Sequence, residues 1–114
     1  MPQNRNKLVE LFIANIYNAI VHNILEKATF KQELIIKYDK ELLNSLEIAK
    51  KYREKINPIK SPLPYKDVFY IKNKIISKVR AELMLRINKG YENIDLNLIE
   101  SLTVSANSKL HITI

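Results

Sequence analysis

The sequence predicts a mainly α fold: a three-helix bundle-like domain with a small C-terminal β-hairpin or mixed element. Three observations lead there. Apolar residues recur at helical spacing over three long stretches; three of the four prolines separate the second stretch from the third; and the last six residues alternate polar with apolar. At 114 residues the chain fits a single domain, 1–114, because a second would be too small to hold a core.

The first helix is predicted over about 6–28. Phe12, Ile13, Ile16, Tyr17, Ile20 and Ile24 form one apolar face, and Leu11, Ala14, Val21 and Leu25 form another. Only Asn15, Asn18, His22 and Glu26 remain as a narrow polar arc. A helix apolar on nearly all sides is either central or pressed against another chain. This predicts a homo-oligomer or a subunit of a complex, with Leu11, Ala14, Val21 and Leu25 at the interface. Polar interruptions at Glu10, Asn15, Asn18, His22 and Asn23 make the 8–25 stretch a poor signal peptide or membrane span. Cysteine is absent, as suits a reducing compartment. The expectation is an intracellular, cytoplasmic protein without a membrane partner.

The second helix is predicted over about 30–56. Thr29 and Gln32 have the spacing of a capping box, in which the hydroxyl accepts from a backbone N–H and the amide reaches back. Phe30, Leu34, Ile35, Tyr38, Leu42, Leu46, Ala49, Tyr52 and Ile56 share a broad face, while Glu33 with Lys37 and Glu47 with Lys51 are spaced as i,i+4 pairs. Ile36 and Leu43 lie outside that face, seven residues apart, and extend the predicted oligomer interface. The connector is 57–64, since proline cannot continue a helix and restricts its predecessor.

The third helix is predicted over 65–89, with Val68, Ile75, Ile76, Val79, Leu83 and Ile87 inward and Gly90 as a left-handed C-cap. In the tail, 91–114, Asp95 caps a short helix through Leu102, or else Ile94, Leu96 and Leu98 alternate in a strand. The segment 109–114 reads as a strand, paired through a turn at 105–108 or across an oligomer.

Composition excludes more chemistry than it suggests. With Gly90 as the single glycine, no glycine-rich phosphate cradle can form. His22 and Glu26 lie one turn apart, but two ligands do not make a metal site and no third is in view. No serine sits in a nucleophile-elbow context, and the acids are interleaved with lysines as on solvated faces. No catalytic residue, metal or cofactor is expected. The abundance of Ile, Lys and Asn is the mark of an AT-rich genome and fits an archaeal or viral origin.

The formal net charge is +7, and it is unevenly placed. Residues 50–89 carry twelve Lys or Arg against Glu54, Asp67 and Glu82, a local excess of nine. An excess of this size points to an anionic partner, DNA or RNA first. The candidate nucleic-acid surface comprises Lys50, Lys51, Arg53, Lys66, Lys72, Lys74, Lys78, Arg80, Arg86 and Lys89, with Tyr65 and Tyr70 (and Tyr91) as stacking rings. Tyr52 and Phe69 fall on apolar stripes and are expected inside. Lysine outnumbers arginine almost fourfold, which favours unspecific phosphate attraction over bidentate base reading. The reading is a non-enzymatic basic binding or assembly module, nucleic-acid-associated through 50–89. Its alternative is a protein-only oligomeric scaffold.

IKNKIISKVRAELMLRINKG at 71–90, followed by NLIESL at 97–102, resembles the helical A domain of archaeal and eukaryotic GINS replication-complex subunits. There, a basic helix with Arg and Leu-Met-type residues precedes a turn of Asn or Ser, Leu and an acid. The resemblance covers under a third of the chain. It implies a non-catalytic scaffold in DNA replication that assembles with sister subunits and carries a small β domain, for which only the tail beyond Val104 is available.

Overall fold

The computed structural model describes residues 5–57 and 61–112. Lys60 and the middle of the proline connector lie outside the described residues, as do the last two residues of the predicted strand. Four helices follow in order: α1 Arg5–Lys27, α2 Gln32–Ile56, α3 Tyr65–Asn88 and α4 Leu98–Lys109. They build an elongated body of 42 × 23 × 23 Å.

α1 is the central element. The backbones of α2, α3 and α4 all approach it, and α4 also packs on α3, whereas α2 approaches neither α3 nor α4. The all-round apolarity of α1 is therefore met within the chain. Phe12, Ile13, Ile16 and Ile24 have no exposed surface, and burying each such side chain contributes about 1.5–3 kcal/mol. Between α1 and α2 the Asn18 amide donates to the Ser45 hydroxyl at 2.7 Å, and the His22 and Tyr38 rings meet at 5.8 Å. These pairings descend along α2 as they ascend along α1, so the two helices form an antiparallel hairpin. α3 runs parallel to α1, with Arg5 on Asp67, Tyr70 on Glu10 and Lys78 over the Tyr17 ring.

The capping box predicted at the start of α2 does not form. Thr29 Oγ1 accepts from the Lys31 N–H at 3.2 Å, which makes a local turn, and the helix begins one residue later without a side-chain cap. Phe30, expected on the packed face, consequently sits on the turn and is 94% exposed. The Glu33–Lys37 and Glu47–Lys51 pairs are open. Ion pairs among the described residues are Arg5–Asp67, Lys72–Glu100 and Glu82–Arg86.

α3 ends as its sequence predicts. Gly90 has φ 101°; its N–H donates to the Ile87 carbonyl and that of Tyr91 to the Arg86 carbonyl, the two bonds of a Schellman cap. The buried stripe of α3 is Val68, Ile71, Ile75, Val79 and Leu83, with Ile76 and Ile87 only half-buried.

The C-terminal β-hairpin or mixed element predicted from the alternating tail is overturned: no strand occurs among the described residues, and α4 occupies 98–109. Asp95 helps to start it by accepting from the Asn97 N–H at 2.9 Å. The inward stripe of α4 is Ile99, Thr103 and Asn107, at helical spacing but with two polar members, so hydropathy alone hides it. Thr103 is accommodated because its hydroxyl donates to the Ile99 carbonyl at 2.7 Å. The Leu110-His111-Ile112 alternation belongs to a second Schellman cap, with His111 left-handed at φ 59°. The Ile112 N–H donates to the Asn107 carbonyl at 2.8 Å and that of His111 to the Ser108 carbonyl. This fold-back buries Leu110 and Ile112 while His111 points outward.

Candidate nucleic-acid interface

The described cations of 50–89 are divided between α2 and α3. Lys50, Lys51 and Lys55 are exposed on α2, whereas Lys66, Lys72, Lys74, Lys78, Arg80 and Arg86 belong to α3, whose backbone does not approach that of α2. The α3 group is the coherent one. Val68, Ile71, Ile75, Val79 and Leu83 fix its inward face, so spacing places Lys66, Asn73 and Arg80 opposite them. Lys66, Lys74 and Arg80 are exposed along α3, and Lys89 follows just past its end. At 1.5 Å per residue, Lys66 to Arg80 is a track of about 21 Å.

Every exposed position of α3 is neutral or basic. Its two acids, Asp67 and Glu82, are half-buried and each is held by an arginine: Asp67 by Arg5 of α1, and Glu82 by Arg86 at 3.2 Å. The remaining predicted cations have other work. Lys72 is half-buried and faces Glu100 at 3.9 Å. Lys78 lies 5.5 Å from the Tyr17 ring, and Arg86 lies 5.4 Å from the Tyr91 ring.

Arg53, placed by sequence on the binding surface, is 0% exposed. Its Nε donates to the Leu110 carbonyl at 2.8 Å and its Nη1 to Asn57 Oδ1 at 2.5 Å. Nη2 reaches the Ser61 and His111 carbonyls at 3.1 and 3.3 Å. The guanidinium thus sits where α2 ends and where the chain leaves α4, against carbonyls that carry the negative end of a helix dipole. Burial lowers its pKa from the ordinary arginine value. This side chain holds the fold together and is removed from the candidate interface.

Three aromatic rings accompany the α3 cations. Tyr65 and Phe69 are 60% and 56% exposed, with centroids 6.0 Å apart and planes inclined by 20°. Phe69 was expected inside, but it lies on the flank beyond the Ile71–Ile75–Val79 stripe, which saturates the contact with α1. Tyr70 is exposed as predicted, and its hydroxyl donates to Glu10; that hydrogen bond, with lesser contributions from burial and the carboxylate charge, raises its pKa. Tyr17 is pushed up by burial first and by the charge of Glu82 second.

The predicted oligomer interface also divides. Val21 and Leu25 are buried in the chain's own core and cannot meet another copy, Leu11 is half-buried, and Ala14 is exposed. Ile36 and Leu43 are exposed on α2. Leu43 stands at the edge of an open apolar groove of about 580 Å³ between α2 and α4, floored by Ala19 and Ile20 of α1. Leu42, Leu46, Leu102, Ala106 and Leu110 complete its walls, with Glu47, Lys50 and Lys109 among its polar lining. Sequence periodicity could not reveal this groove because its two walls come from helices distant in the chain.

The Nδ1 of His22 bonds the Asn18 carbonyl at 2.7 Å, which engages one ring nitrogen within the helix. Among the described residues no group of three or more His, Asp or Glu side chains is placed to hold a metal ion. α1 is long and apolar enough to cross a membrane by length and composition, yet more than half of its apolar window is buried inside the fold. Comparison with known proteins gives no match, whether to a family model, a curated protein or a solved structure.

Proposed function

We propose that the chain is a non-enzymatic, intracellular nucleic-acid-associated module that holds DNA or RNA phosphates along the outward face of α3. One observation carries this reading: Lys66, Lys74 and Arg80 are exposed on a helix whose exposed positions include no carboxylate. With Asp67 and Glu82 half-buried and tied to arginines, the exposed charges of α3 itself are all positive. Lysine ammonium groups attract phosphates as point charges and impose little base preference.

Fluorescence anisotropy with labelled DNA and RNA oligonucleotides tests the proposal. The logarithm of the affinity falls linearly with the logarithm of salt, with a slope of about −2 on single strands and nearer −3 on duplex if three phosphates are neutralised. Joint replacement Lys66→Gln, Lys74→Gln and Arg80→Gln flattens that slope and weakens binding at least about tenfold, whereas Lys51→Gln on α2 leaves both nearly unchanged. Absence of binding at low salt rejects the reading.

A second reading, assembly with another copy, is favoured by the α2–α4 groove. Leu43 is 59% exposed at its edge, and both charge signs are present, with Glu47 and Lys50 on α2 and Lys109 on α4. A surface carrying both signs beside an apolar channel offers opposite charges for pairing across a two-fold contact. The GINS-like stretch is compatible with this scaffold reading as well. Light scattering at micromolar concentration should then give a dimer mass that Leu43→Glu reduces to monomer; a monomer in the parent chain removes the idea.

A further inference from the structure

Resting on the phosphate-binding reading of α3, we infer that the nucleic acid taken there is single-stranded, with the Tyr65–Phe69 ring pair serving as its base-stacking platform. Both rings are more than half exposed and nearly parallel, so much of their apolar surface lies open to water at the start of the helix. Phe69 carries no polar atom that would reward this exposure. Leaving such rings wet has a cost that burial against a ligand would recover.

Position decides the ligand's chemistry. Lys66 lies between the two rings in sequence, and Asn73 and Lys74 begin the next turns, all exposed. Lys66 thus neighbours Phe69 at i,i+3 spacing and Arg80 continues along the same side of α3, the combination that tracks a phosphodiester chain while its bases stack on aromatic faces. A closed duplex cannot use this arrangement. Its bases stack on one another and offer only their edges to the grooves, leaving the rings to touch sugar and phosphate. A protein surface would accept the rings but would not need an uninterrupted run of positive and neutral positions. Unpaired bases satisfy both halves of the site.

The test compares a fluorescein-labelled oligothymidylate with a hairpin duplex of matched length, using the full chain at low and moderate salt. The oligothymidylate is expected to bind about tenfold more tightly and to quench tyrosine fluorescence. Phe69→Ala should lower its affinity about tenfold with little change in salt slope, and Phe69→Tyr should restore it. Lys66→Gln should instead flatten the salt slope. Because Phe69 is mostly exposed, the far-ultraviolet circular dichroism of these variants should match the parent.

Equal affinity for both probes, with Phe69→Ala indistinguishable from the parent, overturns the single-strand inference and leaves the phosphate reading intact. A Phe69→Ala variant that changes molecular mass in solution, but not nucleic-acid affinity, assigns the rings to a protein contact and equally overturns the inference. Failure of both probes to bind at low salt overturns both readings together.

Discussion

Replacing Arg53 by methionine is expected to lower the free energy of unfolding by about 3 kcal/mol. Methionine fills a similar volume but leaves the Leu110, His111 and Ser61 carbonyls without the donors that now reach them at 2.8, 3.3 and 3.1 Å. The bond to Leu110 is buried and the other two are partly buried; orphaning each acceptor costs roughly 1 kcal/mol, and the apolar gain of methionine offsets only part of that. Arg53→Lys should recover less than half. An ammonium keeps the charge but cannot span acceptors on the end of α4 and on the proline connector as the planar fork does. Urea denaturation measures the loss. Hydrogen exchange locates it: the Ile112 N–H, bonded to the Asn107 carbonyl at 2.8 Å, should lose protection beyond the global change. A loss well under 1 kcal/mol would mean that water satisfies those carbonyls and that the guanidinium is dispensable.

Arg53 also shows where sequence reading stops. It sits among Lys50, Lys51 and Lys55 in the chain, and neighbours of like sign suggest a common surface. Its inward direction is nevertheless encoded: Ser45, Ala49 and Arg53 are spaced four apart and form the buried stripe of α2. That stripe contains one apolar residue, so a search for hydrophobic periodicity settles on the Leu42, Leu46 and Tyr52 positions at its edges, all only half-buried. The same blindness hid α4, whose inward stripe includes Thr103 and Asn107. Helices packed through small or polar residues carry a weak hydropathy signal, and the partners that accommodate Arg53 come from segments that only the fold brings together. By contrast, α1 and α3 were legible because their inward stripes are almost wholly Ile, Leu, Val and Phe, and Gly90 marked the end of α3 without ambiguity. The cation–aromatic face of α3 was half legible. Its lysines follow from counting, whereas the exposure of Phe69 depends on which flank of α3 meets α1. The apolar excess of α1 admits a central helix or a contact with another chain, and within the fold α2, α3 and α4 give it the central place.

Phe12→Ala is expected to destabilise the protein by about 3–5 kcal/mol. Phe12 has no exposed surface and belongs to the one helix that touches the other three, so collapse around the vacancy would have to move several helices together. Domains of this size have about 5–15 kcal/mol in all, and the thermal midpoint should fall by on the order of 15 °C. Ala14→Gln, on an exposed position of the same helix, should change stability by no more than about 0.5 kcal/mol. The contrast bears on what α1 is for. A helix that spent its apolar surface on lipid would tolerate Phe12→Ala, because alanine remains apolar and lipid tails fill the space. It would be hurt more by an amide at Ala14, which would then face hydrocarbon. A helix at the centre of a packed bundle responds to lost volume at Phe12 and ignores polarity at Ala14. Calorimetry of the two variants in aqueous buffer therefore separates these roles, and a Phe12→Ala midpoint within a few degrees of the parent would refute the central placement of α1.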